Sequence, residues 1–112
     1  MYSVLGELNK TSGVRGSMLV GADGIIIAAD LDSRLEDETV GALAASIVSN
    51  VSKSLERLNQ QNPDRIMIEA DQGKIFLNDA GVGILAVVTD PAVNVGMVRL
   101  EIKNAISRIK AE

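Results

Sequence analysis

The spacing of apolar positions changes along the chain and divides it into eight segments. Val82-Gly83-Ile84-Leu85-Ala86-Val87-Val88 is nearly continuously apolar without alternation, the pattern of a strand covered on both faces and therefore central in a sheet. The two segments before it are mixed. Ile66 and Ile68 point one way while Arg65, Met67 and Glu69 point the other, and Lys74-Ile75-Phe76-Leu77-Asn78 behaves similarly. Each reads as a flanking strand with one better buried face. Asp71-Gln72-Gly73 and Asp79-Ala80-Gly81 supply the turns between them. Upstream, Val14 to Val20 places Val14, Gly16, Met18 and Val20 on one face and Leu19 on the other. Gly21-Ala22-Asp23-Gly24 is a hairpin turn, and Ile25 to Ala29 is apolar on both faces, which predicts burial on both.

Three segments show helical spacing. Residues 2–10 place Val4, Leu5 and Leu8 on one side of a helix too short to stand without support. After a loop at 30–34, a long helix is predicted over about 36–60, with Asp37 and Glu38 suited to its first turn. Val40, Leu43, Ala44, Ile47, Val51, Leu55 and Leu58 form the stripe that would cover a sheet. Beside it Gly41, Ala45, Val48 and Ser52 make a second, small-sided stripe. Either a second helix backbone approaches there, or these residues simply satisfy helical propensity. Pro63 is expected to enforce the stop. After a turn at 90–94, a last helix over about 95–110 turns Val95, Val98, Ile102, Ala105, Ile106 and Ile109 inward, with Met97 and Leu100 off that face.

The order αββαβββα is accounted for by one α/β (α+β) domain over 1–112. A single five-stranded antiparallel sheet is sandwiched between the long helix on one face and the two terminal helices on the other.

Composition narrows the chemistry. The chain has no Cys and no His, which removes thiol nucleophiles, disulfides, Cys/His zinc sites and histidine acid–base pairs. Aromatics are only 2% of the chain, too few for base-stacking platforms. A net charge of −4 with no Lys/Arg block argues against a nucleic-acid partner. No apolar run reaches the length of a membrane span and no leader pattern opens the chain, so a cytoplasmic location without membrane contact is expected.

The glycines at 13, 16, 21 and 24 lack a following Gly-Lys-Ser/Thr and feed a strand, so they read as hairpin geometry and not as a phosphate cradle. The carboxylates at 23, 30, 32, 71, 79 and 90 fall in turns or loops, and the pair Asp30/Asp32 is too few for a cation site. No catalytic residue, cofactor or metal is expected.

Gly13-Val14-Arg15-Gly16-Ser17-Met18-Leu19-Val20-Gly21-Ala22-Asp23-Gly24 followed by an apolar strand resembles the opening of the roadblock family of dynein light chains and bacterial gliding regulators. Asp71-Gln72-Gly73-Lys74-Ile75-Phe76-Leu77 is similar to that family's central hairpin, and Asn94-Val95-Gly96-Met97-Val98-Arg99 to its closing motif. The resemblance spans about residues 2–110, and the chain is shorter at both ends than the bacterial regulators.

The resemblance implies a dimer, homo- or heteromeric, in which two long helices lie side by side and the strand at 65–70 pairs with its copy. It places Gly41, Ala45, Val48 and Ser52 on the interface helix and Ile66, Met67 and Ile68 on the interface strand. It implies docking of a small Ras-like GTPase and control of its nucleotide state, or a scaffolding role. Arg34 and Arg57 are the arginines nearest the helical docking face, although solvation explains both, and no arginine finger is expected. The alternative is a dimerisation module or small-ligand sensor without a GTPase partner. A sensor needs a cavity with convergent polar groups, which the branched aliphatic core does not suggest.

Overall fold

The computed structural model describes residues 1–112. Helix α1 (Tyr2–Leu8) is followed by β1 (Val14–Val20) and β2 (Ile26–Leu31), then α2 (Asp37–Glu56). Strands β3 (Arg65–Ala70), β4 (Gly73–Asp79) and β5 (Ile84–Thr89) come next, and α3 (Val95–Ala111) closes the chain. All pairings are antiparallel, and the strands lie in the order β2-β1-β5-β4-β3. The uninterrupted apolar run is therefore the middle strand. Five strands sandwiched between one long helix and two terminal ones are present as the spacing predicts.

The sheet has a core on each face. Leu19, Ala28, Phe76, Leu85 and Val87 meet α1 and α3, whereas Met18, Val20, Leu77, Ile84 and Ala86 meet α2. Strand β5 thus alternates between two dry environments, which is why its sequence shows no polar side. Ser17 is the polar residue beneath α1. Its hydroxyl donates to Asn9 Oδ1 at 2.7 Å, and Asn9 Nδ2 donates to the Asp30 carbonyl at 2.8 Å, tying α1 across β1 and β2.

Several expectations shift. Asp30 and Leu31 belong to β2 and not to the following loop. Burial of the run Ile25 to Ala29 on both faces fails because β2 is an edge strand: Ile25, just ahead of it, is 68% exposed and Ile27 within it 44%. Val20 pairs with Ile26 and Leu19 with Ala28, so the ladder shifts around Ile27 and the simple alternation across this strand is lost. A similar shift between Val14 and Gly16 sends Val14 to the α1/α3 core, away from Met18 and Val20.

Helix α2 ends before Pro63 can act. Asn59 takes φ 58°, Gln60 N–H donates to the Leu55 carbonyl and Asn59 N–H to the Glu56 carbonyl. That is the Schellman arrangement, with asparagine in the left-handed position usually held by glycine. At the start of α3, Asn94 Oδ1 accepts from Met97 N–H at 3.0 Å. Asn94→Ala is expected to lower stability by about 1 kcal/mol, the usual cost of a lost N-cap, read as a lower urea midpoint at unchanged slope.

Candidate functional site

Helix α2 packs on its sheet through its small residues. Gly41 and Ala44 are the buried positions of the helix. A Cβ on Gly41 would lie 3.3 Å from Ile26 Cγ1 and 3.4 Å from Val20 Cγ2, so the helix backbone rests close against β1 and β2. This corrects the expected division of faces. Gly41 serves the chain's own core and does not face outward. Ala45, Val48 and Ser52 are half-buried and line a cleft of about 460 Å³ with Ile66, Leu77 and Ile84. Leu43 and Leu58, expected under the helix, are instead 53% and 68% exposed. With Leu43, half-buried Ile47 and Val51 carry an apolar flank of α2 outward from the core contact that Val40 and Ile47 make, and Leu58 lies past the end of the helix.

The sheet beside that flank is also open. Ile66 and Ile68 of β3 are half-buried on the α2 face, as are Ile75 and Val88, while Met67 points to the α1/α3 core. The two sheet edges differ in kind. On β2 the register shift at Ile27 distorts the ladder, and Asn9 binds the Asp30 carbonyl. On β3 all six residues pair with β4 in unbroken register and nothing covers the other side. A flat, regular, apolar edge is the kind that accepts a further strand. An apolar helix flank and an open edge therefore share one face. Ile66 and Ile68 turn to that face, whereas Met67 gives the edge only its backbone and sends its side chain to the α1/α3 core; the helical residues that join them are Leu43, Ile47 and Val51. Spacing missed Leu43, because bulky residues on a helical wheel default to the core; Ile47 does pack against the core as its stripe predicts.

The two arginines singled out in the sequence lie at opposite ends of α2, separated by roughly 30 Å at 1.5 Å per helical residue. Arg57 follows the last helical turn. Arg34 closes an ion pair with Asp32, Nη2 to Oδ2 at 2.9 Å, and its backbone N–H donates to Asp32 Oδ1 at 3.0 Å. Those hydrogen bonds from Arg34 hold the Asp32 carboxyl down at about 2.

A carboxyl whose pKa falls on folding adds stability above its unfolded value, and that contribution is lost as pH drops through the folded value. The contribution of this pair should therefore be complete above about pH 4 and disappear toward about pH 2. Arg34→Ala should return the Asp32 carboxyl to the ordinary range in an NMR titration; an unmoved carboxyl would contradict the assignment.

No group of three or more acidic side chains is placed to hold a metal ion, and no helix is long and apolar enough to cross a membrane.

Comparison with known proteins gives the same architecture. The uncharacterized protein MJ0310 of Methanocaldococcus jannaschii is 43% identical over 108 residues, covering 96% of this chain and 95% of its own. A Roadblock/LC7 domain structure from Streptomyces avermitilis superposes with a TM-score of 0.91 at 18% identity, covering 99% of this chain and 95% of that one. Myxococcus xanthus MglB superposes with a TM-score of 0.88 at 20% identity, covering 96% and 82% respectively. The Roadblock/LC7 domain family matches residues 2–90, a span from α1 through the end of the central strand, and the chain belongs to that family.

Proposed function

We propose that the protein is a non-catalytic, dimeric regulator or scaffold of the cytoplasm that binds a small Ras-like GTPase. The observation that carries the dimer is the coincidence on one face of the apolar α2 flank and the regular, unpaired β3 edge. A two-fold axis beside β3 joins Ile66, Met67 and Ile68 to their copies in one continuous sheet. It brings Leu43, Ile47 and Val51 of two α2 helices together, covering both at once. The GTPase partner rests on family membership, supported by the likeness to MglB.

Such a regulator would act by holding the GTPase's switch segments, with the GTPase supplying the reacting groups. Arg34, already paired with Asp32, and Arg57 would then contribute charge at the rim of the docking face. Replacing both with alanine is expected to leave hydrolysis by a bound GTPase nearly unchanged; a loss approaching the ~10³-fold of an arginine finger would contradict this.

The deciding experiment is light scattering on size-exclusion eluate, for the protein alone and with the host's Ras-like GTPase loaded with GTP or GDP. A dimer that captures the GTP form supports the reading. A dimer that ignores both forms reduces it to a scaffold for another partner, and a monomer removes the two-fold arrangement.

A further inference from the structure

On the opposite face of the sheet from α2, a groove of about 550 Å³ runs between α3 and β3. Four cationic side chains line it: Arg65 from β3 and Arg99, Lys103 and Lys110 from α3. None of them forms an ion pair within the chain. They are four of only eleven Lys and Arg residues in a protein of net charge −4, so the groove is the cationic exception on an acidic surface. Two carboxylates also line it, Asp64 and Asp79, and one oxygen of Asp79 is occupied by the Gly81 N–H at 2.8 Å. The balance in the groove remains positive.

A second observation points the same way. Asn78 faces Arg65 across the β3–β4 ladder and lines the same groove. Its Nδ2 is buried without a hydrogen-bond partner. A buried donor left unpaired is costly, and native proteins seldom keep one without a use. The unneutralised cations ask for an acceptor bearing negative charge, and the unpaired Asn78 donor lies buried beside them.

The shape selects among anions. Arg99 and Lys110 are eleven residues apart on one helix, roughly 16 Å at 1.5 Å per residue, so no single small anion can touch the whole row. An extended peptide rising about 3.3 Å per residue covers that length with about five residues. Exposed Leu100 and half-buried Ile106 add apolar surface between the charges. The stem of Lys110 lies over the β4–β5 turn, 3.4 Å from where a Cβ on Gly81 would stand, which fixes one end of the row.

We infer that this groove docks an extended, acidic segment of a partner protein, with carboxylates alternating with apolar side chains. The chain's own acidic run, Glu36-Asp37-Glu38, caps and opens α2, and in the acidic stretch Asp30-Leu31-Asp32 the Asp32 carboxylate is already paired with Arg34, so a partner of different sequence is the proposed occupant. The two-fold arrangement uses the α2 face and the β3 edge; the groove adjoins that edge at Arg65 and otherwise lies along α3 on the other face of the sheet.

The test is nitrogen-15 NMR on the full chain, titrated with a ten-residue alternating Glu-Leu peptide, its Gln-Leu counterpart, and inorganic phosphate. The Glu-Leu peptide is expected to shift the backbone amides of Arg65, Arg99, Lys103 and Lys110 and the side-chain amide of Asn78. The shifts should weaken as salt is raised.

The double variant R99E/K103E should reduce affinity by about tenfold or more, with an unchanged circular dichroism spectrum. Should that variant misfold, R99Q/K103Q serves in its place. Equal binding of the Gln-Leu peptide, equal binding by the charge variants, or absence of shifts in the groove would overturn the proposal. Phosphate reproducing the full pattern at equal concentration would also overturn it, in favour of a small-anion site.

Discussion

Leu43→Glu gives a monomer that keeps the native fold. Leu43 is 53% exposed on the outer flank of α2, so in an isolated chain a glutamate there stays hydrated and leaves unfolding nearly unchanged, within about 0.5 kcal/mol. In the two-fold arrangement the same carboxylate is pressed between two apolar helices. Symmetry introduces it twice, each copy without a cation to answer it. Burying an unpaired charge costs about 3–5 kcal/mol, so the dissociation constant should rise by roughly two orders of magnitude or more. Light scattering across a concentration series reads this directly. Glutamate at exposed Ala42, on the side of the helix opposite Ile47 and Val51, is the control and should leave the dimer intact. A Leu43→Glu protein that remains dimeric at low concentration would place the interface elsewhere.

Gly41→Leu should instead damage each chain on its own. The side chain would enter space bounded by Ile26, Val20 and Met18, where even a Cβ comes within 3.3–3.6 Å of three side-chain atoms. The helix must lift from the sheet or the core must move, at a cost of about 1–3 kcal/mol. For a domain of this length the melting temperature should fall on the order of 10 °C. The fall should be the same at every protein concentration, because the strain lies inside one chain. A glycine facing a partner would behave oppositely, leaving the isolated chain stable and making the loss concentration-dependent.

These two substitutions divide along the line where sequence and structure part. The strands were legible because β5 has no polar side, a pattern only a central strand carries, and because Asp-x-Gly turns mark the hairpins around it. The location of β2 at an edge was not legible. Its run of isoleucines reads as burial on both faces, and neither the register shift at Ile27 nor its place in the strand order leaves a local mark.

The α2 faces were misjudged for a related reason. A wheel assigns the largest side chains to the core, but here Met18, Val20 and Ile26 rise from the sheet to fill the space, and the helix needs small residues against them. Leu43 was displaced outward, while Val40 and Ile47 keep their contact with the core. The cationic groove was invisible because Arg65, Asn78 and the α3 residues come from separate segments. Only the i, i+4 spacing of Arg99 and Lys103 hinted at a shared face.

The strand order has a consequence for synthesis. The centre of the sheet is made when β1, near the amino terminus, meets β5, near the carboxyl terminus. As the chain leaves the ribosome, the hairpin of β1 and β2 and the whole of α2 emerge while the strand that joins the two halves is still being made. Until β5 arrives, Met18, Val20 and the apolar side of α2 have no closed core to enter. Pairing that spans most of the chain is slow, and it leaves sticky surface exposed to chaperones and to other nascent chains. Two copies translated near one another would present their unfinished faces at the same moment, so assembly beside the ribosome could compete with premature aggregation.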